Sequence, residues 1–168
     1  MQIRDEKQIN HGDEKIVLKI LRKGYDSKFK NTFIGKFQYN WYKLLNRIFV
    51  KYMNGANIPI DVKIGGGCRL VHCNGIIMNG NVQIGDNVTL FQQITIGLIE
   101  GRADSEFPPH IGDNVYIGAG AKVLGNIKVG NNVIIGANAV VTVDVPNNCT
   151  VVGYNRIISK LENQDVNS

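Results

Sequence analysis

The amino-acid sequence predicts a mainly β protein, a parallel β-helix of hexapeptide repeats with a short N-terminal α-helical segment. The first observation is that, between residues 58 and 152, an aliphatic residue recurs every six positions, often beside Gly, Asp or Asn. Five hexads follow one another without a gap from Ile111 to Val140. The second observation is that apolar residues before this stretch recur at steps of three and four, the period of an amphipathic helix.

Each hexad has the composition of one side of a triangular coil. The aliphatic residue points inward and stacks on its equivalent in the next coil, so three hexads make a coil of about 18 residues. Gly and Asn adopt the left-handed backbone conformations that tight turns need. The segments 85–87, 112–114 and 130–132 each combine Gly with Asn in this way. A helix is excluded here, because a period of six puts no stripe on a helix with 3.6 residues per turn.

The first 54 residues are expected to form helices. Residues 1–12 are expected to be frayed, with one helix from Asp13 to about Lys23, ended by Gly24, and a second over about 36–53. The apolar stripe of the second helix is expected to pack on the β-helix or on a neighbouring subunit. The helices would then cap the open first coil. The stripe consists of Phe37, Trp41, Leu44, Leu45, Ile48, Phe49 and Tyr52.

This pattern divides the chain into a helical segment over 1–54, a β-helix over 55–157 with a loop at 98–110, and a tail over 158–168. The sequence has no run of about 18 apolar residues and no apolar core of a signal peptide near Met1. We therefore expect a cytoplasmic protein. The three cysteines have no metal-ligand spacing, so we expect free thiols and no metal site.

Positive charge is concentrated near the N-terminus. Residues 15–51 hold ten basic side chains against Asp26 alone, whereas the whole chain has a net charge of +5. Such a basic amphipathic segment is typical of a solvated helix face or of peripheral association with an anionic membrane surface, here the inner membrane. Both interpretations stay open. No nucleic-acid-binding motif accompanies the charge, so nucleic acid is not an expected partner.

Two irregularities interrupt the repeat. The stretch 70–77 is two residues too long for a hexad, and residues 98–109 form an excursion before the repeat resumes. Insertions in a solenoid become loops on one face, often the binding face. His72 lies in the first irregularity, where a neutral imidazole could take a proton from a hydroxyl group. The alternative is an imidazole that bonds to the turn backbone.

The sequences of several segments resemble those of the serine O-acetyltransferases, which are hexapeptide-repeat acyltransferases. The segment Arg69–Ile77 resembles the one that carries their general base, which corresponds to His72. The resemblance implies a left-handed β-helix, acetyl-CoA as acetyl donor, no metal, and a homotrimer whose site lies between two subunits. The other matching segments are 95–97, 118–127, 135–141, 144–146 and 151–153.

The resemblance also implies the residues that bind the co-substrate. Main-chain groups of the last coils would hold the pantetheine arm of acetyl-CoA. Arg156 and Lys160 in the tail could meet its phosphates. The main-chain positions carried over are Gly97, Gly118, Ala119, Gly136 and Ala137.

Departures from the family concern the acceptor. The aspartate that orients the family's histidine is Asn57 here, and Asp61 is a possible substitute. The Arg-His-Pro that helps to hold serine reads Phe-Pro-Pro-His over 107–110. Acetyltransferases of the colanic-acid and capsule type share the loop ending Pro-His-Ile-Gly found over 109–112. A sugar hydroxyl of a surface polysaccharide or its precursor is therefore the preferred acceptor. The alternatives are serine and, in another class, an inactive β-helix scaffold.

Overall fold

The computed structural model describes residues 2–101 and 107–159 of the 168-residue chain. Helices come first and short strands follow. The helices are α1 (Glu6–Ile9), α2 (Gly12–Lys28), α3 (Phe33–Leu45) and a π-helix (Asn46–Met53). The strands are β1 (Lys63–Ile64), β2 (Arg69–Leu70), β3 (Ile77–Met78), β4 (Gln83–Ile84), β5 (Thr89–Leu90), β6 (Thr95–Gly97), β7 (His110–Ile111), β8 (Tyr116–Ile117), β9 (Lys122–Leu124), β10 (Lys128–Val129), β11 (Ile134–Ile135), β12 (Val140–Val141), β13 (Cys149–Val152) and β14 (Arg156–Ser159).

The strands stack into three sheets, which form the three faces of a prism. Face 1 contains β1, β4, β7 and β10, and face 3 contains β3, β6, β9 and β12. Face 2 contains β2, β5, β8, β11 and β13, all parallel, and ends with β14 antiparallel to β13. The chain passes from face 1 to face 2 to face 3 and repeats. The predicted inward residues such as Leu90, Ile96 and Ile117 are fully buried, which confirms the register.

Asparagines make the turns at the edge between face 1 and face 2. Asn87, Asn114 and Asn132 all have φ between +55° and +57°. The side-chain amides stack in a ladder, where Asn114 donates to Asn132 and Asn132 to Asn148, both at 3.0 Å. The left-handed turns predicted from the Gly-Asp-Asn and Gly-Asn-Asn segments are therefore confirmed.

Glu6 and Asn10 bond to the first coil, so the prediction of a frayed end over 1–12 was wrong for the described residues 2–12. Asn10 is 1% exposed. Its side chain donates to the Cys68 carbonyl and accepts from the Leu70 N–H, each at 2.8 Å. A Glu6 oxygen accepts from the Cys68 N–H, also at 2.8 Å. The first coil has a free strand edge at β2, and these side chains satisfy backbone groups that would otherwise lack partners.

The predicted end of the first helix at Gly24 was also wrong, because α2 continues to Lys28. Gly24 is buried inside the helix, where a Cβ would lie 3.2 Å from Ile60 and 3.3 Å from Tyr42. The glycine is thus a close-packing position and not a terminator. The predicted second helix exists as α3 and the π-helix, which ends at Met53.

The helices cap the first coil as predicted. Val17 and Leu21 of α2 and Val50 of the π-helix are at most 1% exposed and belong to the same core as the coils. The Asn46 side chain donates to the Ile58 carbonyl at 3.0 Å. At the far end of the prism, β14 covers the edge of β13.

The apolar stripe of α3 and the π-helix does not pack on the β-helix of its own chain. Phe37, Trp41 and Tyr52 are 66%, 51% and 66% exposed. Leu44 and Ile48 are exposed as well, whereas Leu45 and Phe49 pack partly on the core. Packing on this chain's β-helix is thus limited to Leu45 and Phe49, because the helix turns the face that carries Val50 inward, and a neighbouring subunit stays the other expected partner of the stripe.

Candidate active site

The two extra residues between β2 and β3 form a fixed turn over 71–76. The Cys73 thiol donates to Asn54 Oδ1 at 3.2 Å, at the end of the π-helix. The Gly75 N–H donates to the Gly55 carbonyl at 3.1 Å, and the Gln93 N–H donates to the Asn74 carbonyl at 3.0 Å. The turn is therefore held from the helical side and from the next coil.

His72 projects from this turn into solvent. Its side chain is exposed, whereas its neighbour Cys73 is buried. Within residues 2–101 and 107–159, the imidazole has no hydrogen bond or ion pair. The bond to the turn backbone that the alternative interpretation required is thus not found there. An exposed, unbonded imidazole can receive a proton from an approaching hydroxyl group.

The two residues considered as orienters of His72 differ in position. Asn57 bridges to face 3, since its N–H donates to Ile76 at 2.8 Å and its carbonyl accepts from Met78 at 2.9 Å. Its side chain is exposed and makes no bond to His72 in the described part of the chain.

Asp61, by contrast, bonds to side chains of the helices. Its carboxylate lies 2.8 Å from the Lys28 ammonium and accepts from the Tyr39 hydroxyl at 3.4 Å. The hydrogen bond to Asp61 raises the pKa of Lys28, and burial raises the pKa of Tyr39. Asp61 therefore stabilises the contact between helix and coil. Of the two residues, Asn57 is the nearer to the His72 turn.

The turns of successive coils stack along the edge between faces 2 and 3. We call this the histidine edge, made of the turns 71–76, 91–94, 118–121 and 136–139. Backbone hydrogen bonds join them, with Gly120 donating to Gln92 at 3.0 Å and Asn138 to Ala119 at 2.8 Å. Four of the predicted co-substrate positions lie on this edge: Gly118, Ala119, Gly136 and Ala137.

Gly97 lies across face 3, at the end of β6 where the loop 98–110 begins. Gly97 is buried, and a Cβ there would meet no atom of residues 2–101 and 107–159 within 4 Å. Gly118 differs, because a Cβ there would lie 2.7 Å from the Ala137 nitrogen. Gly118 is thus required by coil stacking itself, whereas the missing side chain at Gly97 leaves room for a ligand.

A basic cleft of about 300 Å³ adjoins Asn57, between the π-helix and the first coil. Lys43, Arg47 and Lys51 line it together with Asn57, and Asp61 is its acidic member. The sequence showed a basic segment over 15–51, but not that three of its side chains lie beside Asn57. Their spacing of four residues was the available signal. Asn54 was missed as well, and the sequence offered no signal for its contact with Cys73.

Neither thiol near the site is suited to be a nucleophile. Burial raises the pKa of Cys73 to about 11 and that of Cys68 to about 12. Both are therefore protonated at neutral pH, while the thiolate is the reactive form. No cluster of His, Cys, Asp and Glu among the described residues could hold a metal ion.

Of the other residues named from the sequence, His110 and Arg156 lie on other parts of the surface. His110 is exposed at the start of β7, on face 1. Arg156 is exposed on β14, and Lys160 lies outside the described residues, as do residues 102–106 of the loop. No helix of the described part is long and apolar enough to cross a membrane.

Comparison with known proteins gives consistent matches. Residues 108–142 match the bacterial transferase hexapeptide (six repeats) family. A serine acetyltransferase of Staphylococcus aureus is 47% identical over 103 residues, which cover 61% of this chain and 48% of the relative. The chain thus spans about half the length of the curated relatives it matches.

Solved structures match over a larger share of the chain. The serine acetyltransferase of Brucella abortus in complex with coenzyme A has a TM-score of 0.75 at 28% identity, covering 88% of this chain and 56% of that one. The serine acetyltransferase of Neisseria gonorrhoeae in complex with serine has a TM-score of 0.66 at 32% identity, covering 84% and 54%. The predicted left-handed β-helix with a short N-terminal helical segment is confirmed by these likenesses and the three parallel faces. The chain is a hexapeptide-repeat protein that resembles the serine acetyltransferases in both sequence and fold.

Proposed function

We propose that the protein is an acetyl-CoA-dependent O-acetyltransferase in which His72 is the general base. The observation that carries this proposal is the exposed imidazole on a fixed turn, at an edge whose last two turns, 118–121 and 136–139, bear small residues. The serine acetyltransferases matched above, one of them a complex with coenzyme A, support it.

Each chemical step is assigned to a group of this chain. Acetyl-CoA supplies a thioester carbonyl, to which the acceptor oxygen forms a bond while the bond to sulfur breaks. His72 removes the proton from the acceptor hydroxyl and returns it to the departing coenzyme A thiolate. A main-chain N–H near Gly97 or Leu98 donates to the carbonyl oxygen as negative charge develops there. Asn57 is the proposed orienting residue: its backbone is held beside the His72 turn by Ile76 and Met78, and its side-chain amide, which makes no bond to His72 in the described part of the chain, would have to turn to meet the imidazole.

The co-substrate would lie along the histidine edge and reach towards Gly97. Ala119 and Ala137 present only methyl groups outward, and a Cβ at Gly97 would meet no described atom within 4 Å. Arg156 would meet a phosphate of coenzyme A. We further propose a homotrimer in the cytoplasm, in which the His72 turn and the loop 98–110 of one subunit face residues 118–140 of the next.

Serine is the acceptor that the comparisons favour. The relatives and structures reported above are serine acetyltransferases, and one of them is a complex with serine. The sugar acceptor preferred from the sequence gains no support from them, so serine takes first place. A sugar remains the second candidate because Phe107-Pro108-Pro109-His110 replaces the expected Arg-His-Pro and because the cleft beside Asn57 is basic.

An acceptor screen tests the proposal. The release of coenzyme A from acetyl-CoA is measured with serine, with neutral sugars and with sugar phosphates, for the native protein and for His72→Ala. Serine-dependent release that His72→Ala abolishes supports the first candidate, and release with sugars but not serine supports the second. Absence of both release and acetyl-CoA binding would make the protein a scaffold and overturn the proposal.

A further inference from the structure

An exposed apolar face runs along α3 and the π-helix. Ile34, Phe37, Trp41, Leu44 and Ile48 follow one another at steps of three and four residues, so they lie on one side of the helix. They are 67%, 66%, 51%, 47% and 42% exposed. We call these five residues the helical stripe. Contiguous apolar surface of this kind marks an interaction site in soluble proteins.

The stripe is separate from the surface that holds the helix on the prism. Val50 is buried in the core, and Tyr42 and Leu45 pack partly on it. The helix therefore uses one side to cap the first coil and leaves the stripe directed elsewhere. Burying the stripe against this chain's own core would require giving up those contacts.

Basic side chains accompany the stripe. No acidic residue occurs between Asp26 and Asp61, whereas six basic residues do. Lys36, Lys43 and Arg47 are spaced by seven and four, so they form a second strip on the same helix. All three are exposed.

This charge disfavours a symmetric contact between two stripes and favours an anionic surface. A second copy docked through the same stripe would bring two strongly positive surfaces together, which is unfavourable. An anionic lipid surface satisfies both features, because aromatic and aliphatic side chains enter the headgroup boundary while Lys and Arg attract the lipid charge. We propose that the helical stripe binds the surface of an anionic membrane, with the helix lying parallel to it.

The proposal places the candidate active site near the lipid surface. The π-helix ends at Asn54, which accepts the hydrogen bond of Cys73, next to His72. Membrane binding through the stripe does not depend on the proposed acetyl transfer, so an experiment can refute one proposal without refuting the other.

Trp41 offers a direct measurement, because it is the only tryptophan of the chain and lies in the middle of the stripe. Its fluorescence is recorded as vesicles are added, either pure phosphatidylcholine or a mixture with phosphatidylglycerol. We expect a shift of the emission to shorter wavelength and co-sedimentation with the anionic vesicles only, weakened by salt. An unchanged spectrum would overturn the proposal. A shift that appears on raising the protein concentration without vesicles would do the same, since it would indicate self-association.

A matched pair of variants tests whether vesicle binding depends on the helical stripe or on exposed apolar side chains in general. Ile48→Ser should weaken vesicle binding, whereas Ile158→Ser should not, although Ile158 is 45% exposed against 42% for Ile48. Replacing Lys36, Lys43 or Arg47 by Gln should lower the affinity for anionic vesicles about fivefold per charge. Unchanged thermal unfolding shows that each variant is folded. Equal loss in both serine variants, or no loss in the Gln variants, would contradict the assignment.

Discussion

At the scale of single residues, His72 owes its exposure to the buried neighbour that holds its turn. The Cys73 thiol is fixed by Asn54, and the backbone on either side of Asn74 is fixed by Gly55 and Gln93. The imidazole therefore stands on a rigid support while its own nitrogens stay available. This combination suits a base that must meet a substrate arriving from solvent.

Left-handed asparagines are a second feature at this scale. Asn81 has φ of +65°, whereas Asn79, two residues earlier and also exposed, is not in that region. Asn81→Ala should lower the free energy of unfolding by about 1 kcal/mol, because a Cβ without a local polar group disfavours this conformation. Asn79→Ala is the control and should change stability by less than about 0.5 kcal/mol. Urea unfolding measures both, and equal effects would refute the conformational explanation.

The buried thiol of Cys68 links stability to pH. Burial raises its pKa from 9.0 to about 12, so the folded protein keeps a proton that the unfolded chain loses above pH 9. The contribution of Cys68 to stability is therefore complete below pH 9 and is lost as the pH rises towards 12. The free energy of unfolding should fall less steeply between pH 8 and 10.5 in Cys68→Ala than in the native protein. Parallel curves would show that this thiol does not carry the effect.

At the scale of elements, the sequence predicted the regular parts and missed those that depend on distant contacts. The hexads specify the coils because each repeats the same local rule, seen in the equal φ of Asn87, Asn114 and Asn132. Gly24 was wrongly predicted to end the helix, because the residue whose close packing favours a glycine there is Ile60, 36 positions away. Asn10 was misread as frayed because its partners are Cys68 and Leu70.

The same limit applies to the site. The insertion around His72 could be found because it breaks a repeat. The contact of Cys73 with Asn54 could not, since it is not a property of a local segment. The four-residue spacing of Lys43, Arg47 and Lys51 indicated a common basic face, but not that this face lies beside Asn57. The acceptor was least predictable, because the groups that should select it depart from the family at Asn57 and over 107–110.

Substitutions of two glycines, one on face 3 and one on its edge, test coil stacking and ligand binding separately. Gly118→Ala should destabilise the protein by about 1–3 kcal/mol, because its Cβ would lie 2.7 Å from the Ala137 nitrogen of the next coil. Gly97→Ala should leave stability nearly unchanged, since its Cβ meets nothing within 4 Å, but should raise the KM for acetyl-CoA. Thermal unfolding and steady-state kinetics measure the two effects. Destabilisation by Gly97→Ala comparable to that of Gly118→Ala would contradict the distinction.

At the scale of the whole molecule, the prism is capped at both ends and exposed along its sides. The helices cover the first coil, and β14 covers the last. Exposed apolar side chains such as Tyr116 and Ile134 on face 2 and Ile77 on face 3 are then available for contacts between subunits. We therefore expect assembly to use the sides of the prism.

A closed trimer is therefore the expected assembly. Light scattering coupled to gel filtration should give a mass of about 56 kDa, three times the chain mass of 18.6 kDa. Tyr116→Glu should shift the mass towards that of one chain, because it would place a charge in an apolar contact. A monomeric native protein would contradict the proposed site between subunits.

The central claim is that His72 removes the proton from the acceptor hydroxyl, and one measurement tests it most directly. The rate of coenzyme A release from acetyl-CoA with serine is compared for the native protein, His72→Ala and Cys73→Ser, after the binding of acetyl-CoA to each has been measured. We expect His72→Ala to lose about 10²–10⁴-fold in kcat while it still binds acetyl-CoA, and Cys73→Ser to keep most of the rate. A His72→Ala protein that releases coenzyme A at the native rate would contradict the account.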